Sequence, residues 1–157
     1  MLIDGCIHLE LTNAVSTSTV LPSWSIPESI SVFKNIKVLD FSHGLTTDTS
    51  SLFNIDAISR LKKLTILNLD GNKKLLFNAD SKLFYKLKNL KILKMNRLAI
   101  DNIIFLMCCN HLDHLELDYC LSLDKKDVIK IAKSLSQVKV RSLRYASGKG
   151  SINIAEI

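Results

Sequence analysis

Apolar residues along this chain alternate over short stretches, break, and then begin again in the same frame. In LTILNLDGN, Leu64, Leu67 and Leu69 stand at the first, fourth and sixth places and Asn72 at the ninth, with Leu75 following. Residues two apart on an extended chain share a face, so the fourth and sixth side chains point one way and the fifth and seventh the other. The block predicts a short strand with one buried and one open face, ending where the chain turns away at Asn72. A buried Asn amide or Cys thiol at that ninth place can satisfy backbone groups of neighbouring turns.

The frame returns as Leu90, Leu93, Met95 and Leu98, and again as Leu112, Leu115, Leu117 and Cys120 followed by Leu123. A weaker copy runs through Ile36, Leu39 and Phe41 to Gly44, and fainter ones hold Cys6, Leu9 and Leu11 near the start and Val140, Leu143 and Tyr145 near the end. Six units are predicted, starting near residues 6, 36, 64, 90, 112 and 140, with successive lengths of 30, 28, 26, 22 and 28 residues. An apolar residue also stands three places upstream of five starts, at Ile3, Phe33, Leu61, Leu87 and Cys109. Such recurrence predicts units that stack, each burying its apolar face against its neighbours.

This frame resembles the leucine-rich-repeat consensus L-x-x-L-x-L-x-x-N/C. The resemblance implies an α/β solenoid, with short parallel strands on a concave face and helical or irregular returns, in a single domain covering residues 1–157. The stretch CCNHLDHLELDYCLSLDKKDVIKIAKSLSQVK is similar to the cysteine-containing repeats in the arms of F-box adaptor proteins, whereas IPESISVFKNIKVLDFSHG is similar to repeats of immune receptors, with Pro27 where a short helix or turn would begin. No F-box, nucleotide-binding or kinase segment is expected ahead of the repeats.

Several returns carry helical spacing. Val128, Ile131, Ala132 and Leu135 form one apolar stripe, with Asp124 and Asp127 well placed at the helix start. Segments 52–61 (Leu52, Ile55, Ile58, Leu61) and 82–87 (Leu83, Phe84, Leu87) are similar, and Ile103, Ile104, Leu106 and Met107 predict another short helix after Asp101.

Composition narrows the functions. With aromatics at 6%, Leu, Ile and Val must supply most of the packing. No apolar run approaches the roughly 18 residues that span a bilayer, and the start lacks a basic flank before an apolar block, so neither membrane insertion nor secretion is expected. Cys6, Cys108, Cys109 and Cys120 form no CxxC and no disulfide framework, which fits a reducing, cytoplasmic setting. The net charge of +6 is concentrated at residues 60–97, where eleven Lys or Arg face only Asp70 and Asp80. Clustered cations suit nucleic acid or anionic lipid. Nucleic acid is nevertheless not expected. Lys62, Lys63, Lys73, Lys74, Lys82, Lys86 and Lys88 are expected to spread over loops and the convex side, only Lys91, Lys94 and Arg97 share the strand face, and aromatics interleaved to stack bases are missing.

The most enzyme-like cluster is Cys108, Cys109, His111 and His114 in CCNHLDH. The frame puts Cys109 in the core and His114 on the open face, so their side chains diverge, and Cys6 and Cys120 also take core places. Loops of the GxxxxGK[ST] or GxSxG kind and an HExxH helix are missing, and SGKGS is a lone, short basic-glycine match that does not carry a phosphate-binding claim. Neither catalysis, cofactor nor metal is expected.

Binding is expected on the open face, where equivalent residues form columns that a partner can read. The third column runs His8, Val38, Ile66, Ile92, His114 and Ser142; the fifth, Glu10, Asp40, Asn68, Lys94, Glu116 and Arg144; the seventh, Thr12, Ser42, Asp70, Asn96, Asp118 and Ala146; the eighth, Asn13, His43, Gly71, Arg97 and Tyr119. Val38, Ile66 and Ile92 are expected to form an apolar landing patch and Arg97 and Tyr119 its hot spots. Asp40, His43, Asn68, Asp70, Lys94, Asn96, His114, Glu116 and Asp118 complete the expected partner-binding set, charged members supplying electrostatic complementarity. The function expected is a non-catalytic scaffold binding a protein partner. Two alternatives are a structural subunit of a large assembly, held by its ends and basic convex side, and a substrate-recognition arm of a ubiquitin-ligase adaptor lacking its F-box.

Overall fold

The computed structural model describes residues 8–10, 24–26, 28–42, 51–72, 74–75, 83–100, 106–107, 109, 111–120, 123 and 125–142. Among them the strands are β1 (His8–Glu10), β2 (Trp24–Ser25), β3 (Val38–Asp40), β4 (Ser51–Phe53), β5 (Ile66–Asn68), β6 (Lys74–Leu75), β7 (Ile92–Lys94), β8 (His114–Glu116) and β9 (Val140–Ser142). The strands β1, β3, β5, β7, β8 and β9 pair in that order into one parallel sheet, and β2, β4 and β6 form a smaller parallel one. Parallel neighbours need a crossover that returns the chain to the same end. Here the returns include 3-10 helices at Glu28–Val32 and Ile55–Arg60 and the α-helices α1 (Leu83–Lys86) and α2 (Lys125–Ser134). The repeat predicts this architecture, an α/β solenoid.

Register makes the core continuous. Leu39, Leu67, Leu93 and Leu115 are cross-strand partners in sequence, and all four are fully buried, each contributing about 2 kcal/mol of hydrophobic stabilisation. The sixth-position residues Phe41, Leu69, Met95 and Leu117 lie in the same cluster. Entry to each strand is also uniform, because the backbone N–H groups of Ile36, Leu64, Leu90, Leu112 and Val138 donate to the carbonyls of Phe33, Leu61, Leu87, Cys109 and Leu135. That closed turn accounts for the apolar residue three places upstream of the starts at Ile36, Leu64, Leu90 and Leu112.

The same turn corrects the sixth unit. β9 aligns His114 with Val140 and Glu116 with Ser142, so the unit starts at Val138, two residues before the predicted start. A two-residue shift preserves the alternation of faces, so periodicity cannot choose between Val138 and Val140. The turn can: Val138 is buried and bonded to Leu135. Val140 therefore replaces Ser142 in the third column and Ser142 replaces Arg144 in the fifth. Leu143, Arg144, Tyr145 and Ala146 lie outside the described residues, as do Ile3, Cys6, Leu11, Thr12, Asn13, Gly44 and Cys108.

The ninth positions tie successive units together. Asn72 Nδ2 donates to the carbonyls of Phe41 (3.1 Å) and Leu69 (2.8 Å), and the Cys120 thiol donates to the Met95 carbonyl at 3.0 Å. Leu98, at the equivalent place, is buried.

Two helical expectations change. Segment 52–61 divides into β4 and the 3-10 helix, with Asn54 between them in the left-handed region (φ 57°) and its Nδ2 donating to the Ile26 carbonyl. Strands as short as β2, β4 and β6 carry no detectable period-two signal, which is why the second sheet escaped the pattern. Leu106 is buried as expected, whereas Met107 is 47% exposed and Ile103 and Ile104 lie outside the described residues. Of the stripe expected from Val128 onward, Ile131 and Ala132 on α2 and Leu135 just after it are buried. Among the described residues no helix is long and apolar enough to cross a membrane.

Candidate functional site

On the open face of the large sheet, Val38, Ile66 and Ile92 are direct register partners, half-buried and side by side, and His114 extends their row. They stand there because third-position side chains point opposite to the buried leucines that follow them.

Beside this row the fifth and seventh positions form a ladder of side-chain hydrogen bonds. Asn68 Nδ2 donates to Asp40 Oδ2 at 3.0 Å, and Asn68 Oδ1 accepts the Asp70 N–H at 3.1 Å. Asp70 takes the backbone N–H of Asn96 on Oδ1 (2.8 Å) and its Nδ2 on Oδ2 (3.1 Å). Asn96 also donates to Glu116 Oε2 at 2.8 Å and accepts the Asp118 N–H on Oδ1 at 2.7 Å. Glu116 Oε1 is shared by Lys94 Nζ (3.1 Å) and His114 Nε2 (2.7 Å). Among the described residues no buried side-chain nitrogen or oxygen lacks a partner. The ladder therefore fixes the rotamers across four strands. Asn96, with bonds to the units on both sides, is its hub, a role that the column pattern alone could not disclose.

Electrostatics differ along it. Burial pushes the Asp70 carboxyl up from its ordinary value, outweighing the two bonds from Asn96, and nearby Glu116 adds to the rise. At Glu116 burial again opposes ionisation, yet the bonds from Asn96, Lys94 and His114 together prevail and hold its carboxyl below the usual range.

The eighth position departs from ordinary backbone. Gly71, Arg97 and Tyr119 all have positive φ, at 78°, 62° and 58°. Gly accepts this geometry freely, but a residue with a Cβ is strained there by about 1 kcal/mol. Arg97 and Tyr119 are both exposed. With Asp70, Gly71, Asn96 and Asp118 they line a shallow cavity of about 230 Å³. Gly71 is the one lining residue outside the predicted set, and its signal was the Asp-Gly pair ending the third strand block.

Of the predicted site, Val38, Asp40, Ile66, Asn68, Asp70, Ile92, Lys94, Asn96, Arg97, His114, Glu116, Asp118 and Tyr119 thus share one face of β3, β5, β7 and β8 and the turns that follow. His43 lies outside the described residues. Lys91, expected on the strand face, instead points to the edge where the chain enters the strand, pairing with Asp113 at 3.9 Å. Cys109 is buried while His114 is on the open face; Cys120 is a buried free thiol whose pKa burial pushes up to about 12.

No protein-family model matches the sequence, and a search of curated proteins finds no match. Solved structures do. An internalin (inlF) from Listeria monocytogenes superposes with a TM-score of 0.59 at 16% identity, over 78% of this chain and 32% of that one. Internalin C2 of the same organism gives 0.45 at 16% identity, over 89% and 81%, and the plant peptide hormone receptor RGFR1 in complex with RGF2 gives 0.42 at 20%, over 82% and 24%. The chain thus spans about a third of the length of the inlF structure. In-register leucines, uniform turns and bridging ninth-position residues, together with the internalin likeness, make this fold a leucine-rich-repeat solenoid.

Proposed function

We propose that this chain is a non-catalytic protein-interaction module that binds a protein partner on the open face of β3, β5, β7 and β8. One observation carries the reading: the apolar row Val38, Ile66 and Ile92 lies on the same face as Arg97 and Tyr119, two exposed side chains held at strained backbone positions. Contiguous apolar surface marks contact sites, Arg and Tyr are favoured binding anchors, and backbone strain persists where function demands it. The hydrogen-bonded ladder preorganises the surface, which lowers the entropy lost on binding. A shallow cavity of about 230 Å³ suits an anchor side chain and not an enclosed substrate. Cys109 and Cys120, buried thiols outside any disulfide, suit a reducing compartment.

A second reading, a substrate-recognition arm for ubiquitin ligation, is favoured by Cys120, which takes the ninth place and donates its thiol to the Met95 carbonyl, in the stretch that resembles cysteine-containing repeats. Affinity capture from cell extract tests both, using the intact chain beside a variant carrying Arg97→Ala, Tyr119→Ala and Ile92→Asp, each first shown folded by circular dichroism. A protein retained by the intact chain and lost by the variant supports face binding. Ligase components among the retained proteins favour the second reading. Equal retention by both proteins contradicts the proposal.

A further inference from the structure

Rows form on the turn edge of the solenoid as well as on its strand face. β3, β5 and β7 pair in register and are entered by the same turn, so residues equally far upstream of them stack. Lys34, Lys62 and Lys88, each four residues before its strand, form one row. Lys63 lies one residue further along, and Lys37 and Lys91 directly precede β3 and β7; all six lysines are exposed. Bonds between units bind this edge together, Lys63 Nζ to Asn35 Oδ1 and Asn89 Nδ2 to the Lys62 carbonyl, both at 2.7 Å.

Strand spacing sets the backbones of successive lysines within a row about 4.8 Å apart, well inside a physiological screening length of about 8 Å, so their like charges repel one another. Carboxylates offset them only in part, at Lys91 through Asp113. Between residues 57 and 100 the acids are Asp70 and Asp80; Asp70 is bound into the strand-face ladder, and Lys91 reaches forward to Asp113 for its partner. A surface under selection for solubility alone intersperses the two signs.

The chemistry of the edge favours a bilayer. Lysines are point charges on flexible stems, without the planar fork by which Arg reads one phosphate. Tyr85 (61% exposed) lies beside Lys88, whose ammonium sits 5.8 Å from the ring centre, and Val32 (58% exposed) immediately precedes the same edge. Cations bordered by an exposed aromatic and an exposed aliphatic side chain match an anionic headgroup layer, where ammonium meets phosphate and carboxylate and tyrosine rests at headgroup depth. A single nucleic-acid strand would need successive aromatic platforms, and among the described residues this edge offers Tyr85 alone. We infer that the lysine edge of units two to four docks the protein on an anionic phospholipid surface without crossing it. This inference is independent of the strand-face reading.

Vesicle flotation tests it, with phosphatidylcholine vesicles beside vesicles of phosphatidylcholine mixed with phosphatidylserine. The intact chain is expected to float with the anionic vesicles only and to be released by high salt. Lys34→Glu, Lys62→Glu and Lys88→Glu together, in a protein shown folded by circular dichroism, are expected to weaken that binding by about a hundredfold or more. Arg97→Ala is expected to leave it unchanged, which separates this edge from the strand face. Equal flotation with neutral vesicles, an unaffected triple variant, or binding to single-stranded RNA without binding to vesicles would each overturn the inference.

Discussion

Asp70 and Asn96 occupy the same place in adjacent repeats, and the carboxylate of one receives both the backbone and the side-chain nitrogen of the other, at 2.8 and 3.1 Å. The pair shows how the open face is built: polar residues that a column reading assigns to a partner first satisfy one another. What they leave open is a fixed surface with apolar Val38, Ile66 and Ile92 on one side and Arg97 and Tyr119 on the other.

Removing the hub should cost stability. Asn96→Ala deletes the bonds to Asp70 Oδ2, Glu116 Oε2 and the Asp118 N–H, two of them to carboxylates, and is expected to destabilise the protein by about 2 kcal/mol. Urea denaturation should show a lowered midpoint with an unchanged slope. Asn68→Ala, which loses fewer bonds, should cost about 1 kcal/mol.

Replacing a strained residue by glycine should do the reverse. Arg97→Gly relieves a side chain at φ 62°, and Tyr119→Gly one at φ 58°, so each is expected to gain about 0.5 to 1 kcal/mol in the same denaturation experiment. Under the proposed function each also weakens capture of the partner. Lower stability of the glycine variants would remove the argument from strain.

The two ladder carboxylates should respond to pH with opposite signs. Glu116 ionises more readily in the fold than in the unfolded chain, so its stabilisation is present above the ordinary carboxyl range near pH 4 and is lost as pH falls through its lowered value. Asp70 ionises less readily in the fold, so stability declines as pH rises from the ordinary value through its raised one. Across urea midpoints from about pH 3 to neutrality, the deficit of Glu116→Gln relative to the intact chain should shrink on acidification. Asp70→Asn should instead compare more favourably with the intact chain as pH rises.

Cys109 and Cys120 should be inert in the native state. Both are buried, and the Cys120 thiol, with a pKa of about 12, offers almost no thiolate at neutral pH. Labelling with a thiol reagent, read by peptide mass spectrometry, should leave both unmodified until urea unfolds the chain.

The units centred on Leu67, Leu93 and Leu115 were legible in the sequence because strict alternation and a fixed ninth position encode both the strand and the turn that ends it. The sixth unit was misread by two residues because Val138, Lys139 and Val140 alternate equally well in either register. The bond from Val138 to Leu135 and the pairing of β9 with β8 distinguish them. Site columns were readable for the same reason as the strands, since period two assigns faces. The cross-column bonds of Asn96 and the stacking of Lys34, Lys62 and Lys88 were not, because both depend on which residues of different units become neighbours. Units of unequal length hide that alignment until the turns are seen.

Hydrogen exchange on the captured complex tests the central claim most directly, because it locates the partner without altering the chain. Slowed exchange in peptides spanning residues 92–97 and 114–119, with return helices at 55–60 and 125–134 unchanged, is the predicted result. Protection confined to the returns or to the turn edge, with the strand face unchanged, would contradict it.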